Sequence, residues 1–99
     1  MERYSARFID DLGRILLHKE LRYKLNLKPT DEVYFKVVSN SLVIHKASKN
    51  NINEDYSYAT VDELGMVKIP LEIRKQLGWK IRTKLVFYNV DDLTILKLE

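Results

Sequence analysis

The apolar positions of this chain fall into the same pattern twice. In "SARFIDDLGRILL", residues 5–17, two short β-rich runs flank an acidic turn that ends in glycine, and "YATVDELGMVKI", residues 58–69, repeats the arrangement. Gly13 and Gly65 suit such turns because a residue without a Cβ enters the positive-φ region at no steric cost. The spacing then changes. Leu17, Leu21 and Leu25 stand at i, i+4 and i+8, as do Ile69, Ile73 and Leu77, which predicts short amphipathic helices over residues 18–25 and 70–77. Pro70 suits a first helical turn and Gly78 the left-handed residue just past the end; Asn26 takes the place of Gly78 in the earlier segment. Alternating β-branched and aromatic residues follow. "EVYFKVV" turns at Ser39 and Asn40 into "SLVIH", and "KLVFYNV" turns at Asp91 and Asp92 into "LTILKL", which reads as two hairpins.

One offset relates the two segments. Asp10/Asp62, Gly13/Gly65, Glu20/Glu72, Arg22/Arg74, Phe35/Phe87 and Val38/Val90 all lie 52 residues apart. Residues 1–46 and 58–99 therefore read as two copies of a ββαββ unit, joined by the polar, aperiodic linker 47–57. A unit of roughly 45 residues buries too little apolar surface to stand alone. The two are expected to share one core, with eight strands closing a small barrel about a pseudo-twofold axis. A solenoid needs three or more repeats.

Composition narrows the functional classes. The chain has no Cys, which excludes disulfides and thiolate metal sites and fits a reducing cytosol. No apolar run approaches the roughly 18 residues of a membrane span, and "MERYSARF" lacks a signal-peptide apolar region, so a soluble cytoplasmic protein with no membrane partner is expected. The net charge of +3 is distributed as +3 over residues 1–47, −1 over 48–57 and +1 over 58–99, which points weakly to an anionic partner met mainly by the first copy. No catalytic constellation supports an enzyme. Asp10–Asp11 and Asp62–Glu63 read as turn formers, His18 and His45 have no second ligand at metal spacing, and no phosphate-binding loop occurs, so no cofactor or metal is expected. Tyr34, Phe35, Phe87 and Tyr88 alternate along strands and are expected to divide between core and surface.

The segments "IDDLGRILLHKELRYKLNLK", residues 9–28, and "VDELGMVKIPLEIRKQLGWK", residues 61–80, resemble the AbrB/MazE/SpoVT family of DNA-binding domains. That family's motif is acid–acid–Leu–Gly–Arg followed by an apolar strand, Pro, a helix with Glu–apolar–Arg, and Leu–Gly. The second copy departs from it at Met66, and the first at His18 and Asn26. The resemblance implies a mostly β fold with two short helices. Two tandem ββαββ repeats would form one swapped-hairpin, AbrB-like β-barrel within a single chain. It further implies a transcriptional regulator that binds double-stranded DNA through Arg7, Arg14, Arg22, Arg74 and Lys75. Arg offers phosphate or a guanine edge a planar, bidentate fork of donors. For Arg22 and Arg74 the alternative is pairing with Asp10, Asp62, Glu20 or Glu72. Arg14 has no matched acid, because Met66 replaces its counterpart. Arg7 and Arg14 occur only in the first copy, so that copy is expected to supply the turn-proximal contacts, and the preferred site is not a perfect palindrome. A homodimer of such single-chain barrels is left open. A MazE-like antitoxin or other protein-interaction module is the alternative function. It is disfavoured because the toxin-binding tail of such proteins follows the barrel, whereas Leu98 and Glu99 come directly out of the expected last strand.

Overall fold

A computed structural model describes residues 2–48, 53–91 and 93–99. In chain order the elements are β1 (Glu2–Arg3), β2 (Arg7–Phe8), β3 (Arg14–Leu16), α1 (Lys19–Lys24), β4 (Glu32–Val38), β5 (Ser41–Lys46), β6 (Ser57–Thr60), β7 (Met66–Lys68), α2 (Leu71–Leu77), β8 (Lys84–Val90) and β9 (Leu93–Leu98). The fold is mostly β with two short helices. The helices are slightly shorter than the periodicity implies. His18 and Pro70, placed in the first helical turn by the sequence, are extended N-cap residues with ψ of 141° and 143°. Strands β4, β8 and β9 have the expected bounds, whereas β2 keeps only two residues of "SARFI" and β1 was not anticipated. Asp92 and positions 49–52 of the linker lie outside the described residues.

Seven strands form one antiparallel sheet in the order β1-β8-β9-β5-β4-β6, with β2 also on β8, while β3 and β7 pair only with each other. The sheet is not closed among the described residues: β6 ends it on one side and β1 and β2 on the other. Counting eight strands anticipates a closed ring. The short β3 and β7 instead form a separate ladder centred on Ile15 opposite Val67. Strands from the two ends of the chain interleave throughout. β5 pairs with β9, β2 with β8, and β4 with β6.

The interleaving follows from where the apolar faces meet. Ile9, Ile15, Leu17 and Leu21 from the first stretch join Val61, Val67, Ile69 and Ile73 from the second in one buried cluster, together with Phe35 and Phe87. Each fully buried aliphatic or aromatic side chain contributes roughly 1.5–3 kcal/mol relative to exposure. Neither stretch can collect that contribution without the other. Phe35 and Phe87 point into this core. Tyr34 lies on the opposite face of β4, with its ring between His45 at 4.8 Å and Tyr56 at 5.0 Å.

Local geometry repeats at the same offset as the sequence. Gly13 N–H donates to Asp10 O and Gly65 N–H to Asp62 O, both at 3.0 Å, and the chain ends of the helices close through Leu27 N–H to Arg22 O and Trp79 N–H to Arg74 O, both at 2.8 Å. Positive φ occurs at Gly13 and Gly65, Asn26 and Gly78, Thr30 and Arg82, and Ser39 and Asp91, each pair 52 residues apart.

Candidate nucleic-acid interface

The two acidic turns lie beside the helices of the opposite stretch. Each turn is built by its aspartate. Asp10 Oδ1 accepts the N–H groups of Leu12 (2.9 Å) and Arg14 (2.8 Å), and Asp62 Oδ1 accepts those of Leu64 and Met66, both at 2.9 Å. Such local bonds hold a turn open for a glycine at its close. The loops are then tied crosswise. Leu17 N–H donates to Gly65 O at 3.0 Å, and Ile69 N–H donates to Gly13 O at 2.9 Å.

Arg22 and Arg74 occupy the space this crossing creates. Arg22, on α1, donates its Nε–H to Leu17 O at 3.2 Å, and Arg74, on α2, donates to Ile69 O at 2.9 Å. Their guanidinium groups lie against the turn glycines. A Cβ added at Gly65 would fall 2.6 Å from Arg22 Cζ, and one at Gly13 would fall 2.8 Å from Arg74 Nη2. The glycines are therefore required twice, for φ of +79° and +84° and for the approach of an arginine from the other stretch. Among the described residues, no carboxylate lies within ion-pair reach of Arg22 or Arg74. Each keeps terminal N–H donors beyond the one Nε–H bond.

The pairing of Arg22 and Arg74 with Asp10, Asp62, Glu20 or Glu72, the alternative raised from the sequence, is not seen among the described residues. The matched acids do not bind Arg22 and Arg74. Arg14, expected to have none, holds Asp10 at 2.8 Å and Asp62 at 3.5 Å. The reason is the pairing of β3 with β7, which brings both turns to one point. Met66 in the place of a second arginine leaves Arg14 alone between the two carboxylates. Burial pushes the Asp10 carboxyl up, but bonds from the Arg14 N–H, the Arg14 guanidinium and the Leu12 N–H outweigh it and hold the group below its ordinary range.

The remaining candidates lie apart. Arg7, on β2, is half-buried; its Nη2 stands 3.4 Å from His18 Nδ1, its Nη1 donates to Ala6 O at 3.3 Å, and its buried Nε has no partner. Among the described residues no hydrogen bond or ion pair joins it to Arg14, Arg22 or Arg74. Lys75 is exposed in the last turn of α2, where a cation complements the helix dipole. Sequence reasoning missed Arg82, which reaches the first turn through Asp11 at 3.3 Å, and nothing in the repeat signals it because its counterpart is Thr30. It also missed Leu12 and Leu64, which the turns leave 62% and 69% exposed at their tips. Among the described residues no group of three or more His, Asp or Glu side chains is placed to hold a metal ion, and no helix is long and apolar enough to cross a membrane.

No family model and no curated protein matches the chain. Among solved structures it is similar to the solution structure of PHS018 from Pyrococcus horikoshii, with a TM-score of 0.54 and 20% identity over 99% of this chain and 88% of that one. At that identity the likeness is one of fold.

Proposed function

We propose that this chain binds double-stranded DNA as a transcriptional regulator of the AbrB/SpoVT type, contacting the duplex with the face formed by its two glycine turns and two short helices. The two ββαββ segments act in this reading as duplicated units of one swapped-hairpin, barrel-like body. The β3–β7 ladder sits on their pseudo-twofold axis. One observation carries the reading: Arg22 and Arg74 are held crosswise over Gly65 and Gly13 with no acid among the described residues to neutralise them. A guanidinium fixed at one end by a carbonyl bond and free at the other is preorganised for phosphate or a base edge. Two such groups related by a twofold suit the two strands of a duplex.

The pairing of Arg14 changes its role. Tied to Asp10 and Asp62, it orders the turns, and the asymmetry between copies rests on Lys75 and Arg82 as well as on Arg14. Fluorescence anisotropy with a labelled mixed-sequence duplex over a series of salt concentrations tests this. Log affinity should fall linearly with log salt. The Arg22→Ala/Arg74→Ala double variant should flatten that slope by about two, one for each lost phosphate contact. Binding that is absent at low salt, or a double variant with the wild-type slope, would overturn the assignment.

A further inference from the structure

The tips of the two glycine turns hold large apolar side chains in water. Leu12 is 62% and Leu64 69% exposed, and among the described residues no large aliphatic side chain is more exposed. A single exposed leucine needs no explanation. These two occupy equivalent places in the two copies, and neither belongs to the buried core cluster. Their main chain is fixed before any ligand arrives. The N–H groups of Leu12 and Leu64 donate to Asp10 Oδ1 and Asp62 Oδ1, both at 2.9 Å, and Arg14 holds the two aspartates at 2.8 and 3.5 Å. Ordering a tip of this kind adds little to the cost of binding.

Each leucine also has an unpaired guanidinium for a neighbour. Gly13 follows Leu12, and a Cβ there would fall 2.8 Å from Arg74 Nη2; Gly65 follows Leu64, and a Cβ there would fall 2.7 Å from Arg22 Nη1. Consecutive Cα atoms are about 3.8 Å apart and stacked bases about 3.4 Å apart along a strand, so the two groups of one turn match neighbouring base pairs in spacing. Their chemistry is complementary. An arginine fork fits the O6 and N7 acceptors of guanine, and an apolar side chain meets the C5 methyl by which thymine is told apart in the major groove. The minor groove shows only acceptors at A·T pairs and gives a leucine no methyl to read.

We propose that Leu12 and Leu64 read thymine methyl groups in the major groove, each on the base pair beside the one met by the arginine at its own turn. The inference rests on the proposed DNA face and names what that face selects: a thymine next to a guanine, once for each turn. Leu12 contributes more than Leu64. Beside Leu12, Asp11 is paired with Arg82 at 3.3 Å. Beside Leu64, Glu63 is exposed, and among the described residues no cation lies within ion-pair reach of it. Its carboxylate opposes the approach of the second tip to the phosphates.

The probe is a duplex recovered by the full chain from a random pool at low salt, with binding read by anisotropy. Each thymine of the recovered motif is replaced in turn by deoxyuridine, which removes the methyl and keeps every hydrogen-bonding group. Affinity should fall about fourfold at a thymine that adjoins a guanine, the value of one buried methyl. Leu12→Ser should erase the preference for thymine over uracil at one such position and Leu64→Ser a smaller preference at the other. Neither should change the salt slope, which counts phosphate contacts. Circular dichroism checks that both variants fold. A duplex that binds equally well with uracil throughout would overturn the thymine reading and leave duplex binding standing, and a pool with no preferred base would do the same. No binding at low salt overturns this inference and the DNA reading together. Concentration-dependent dimers of the free chain that Leu12→Ser abolishes would assign the tips to a second copy and overturn it.

Discussion

Asp10 and His18 both contribute to the acid side of this protein's stability, and their windows differ. Asp10 has its carboxyl held below the ordinary value by the bonds described above. A folded-state value below the unfolded one of about 3.9 means that its contribution is present above that pH and is lost as pH falls through the lower folded value. His18 is shifted by burial first. The bond between its Nε2 and Ser5 O, at 2.7 Å, opposes the shift, the Arg7 charge adds to it, and the net result lies below the ordinary value of 6.5. The neutral ring is the native form, so its contribution is present above about pH 6.5 and is lost as pH falls through the folded value. Urea midpoints measured from pH 2 to 8 should therefore decline in two stages. His45 shares the upper stage, its value lowered by burial and then by the Lys36 charge, so His18→Gln should shrink the stage below pH 6.5 and His18→Gln/His45→Gln flatten it, while Asp10→Asn should shrink the stage below about pH 4. A double variant that keeps the full upper stage would show another group responsible. The sequence offered the acids and arginines as a set but not their partners. Arg14 meets Asp62 only because β3 and β7 pair, and a contact across 48 positions leaves no mark on local spacing.

At the scale of elements, most of what the pattern implies is present. Strands β4, β8 and β9 are rich in β-branched, aliphatic and aromatic residues with turn residues at their ends, and their bounds are those of the sequence reading. The helices were legible from two faces of three aliphatic residues each. β1 was not legible because two residues carry no period, and its register on β8, one residue off that of β2, depends on a bulge that nothing in "ERYSARF" announces. The open sheet was missed for a related reason: the number of strands does not say that the two shortest leave the main ladder for each other. The turns and caps give a graded test. Gly78, at φ +73°, has nothing within 4 Å of an added Cβ, so Gly78→Ala should lose only the left-handed penalty of roughly 1–2 kcal/mol. Gly13→Ala and Gly65→Ala carry the same penalty and also displace Arg74 and Arg22. Both should be less stable than Gly78→Ala in chemical denaturation, and both should weaken duplex binding while Gly78→Ala does not. Equal stabilities for the three variants would contradict the close arginine approach.

For the whole molecule, the interleaved pairing makes the two stretches interdependent. Fragments 1–50 and 51–99 should each be unfolded alone by circular dichroism and should regain the native spectrum when mixed, because β1, β2, β3, β6 and β7 pair only across the division and the core is shared between the two fragments. A fragment that folds cooperatively alone would mean two separate bodies. The sequence reading expected one shared core, and the single buried cluster drawn from both stretches agrees with it. Function is where sequence and fold part company. A likeness of fold to PHS018 carries no partner with it, and the case for DNA rests on two arginines and the surface around them. Amide chemical shifts of the labelled chain titrated with a short mixed-sequence duplex test that case most directly. The account predicts the largest changes at Gly13, Gly65, Arg22, Arg74 and Lys75, with little change on the outer face of β4 and β5. Shifts centred on that outer face, or none at low salt, would contradict it.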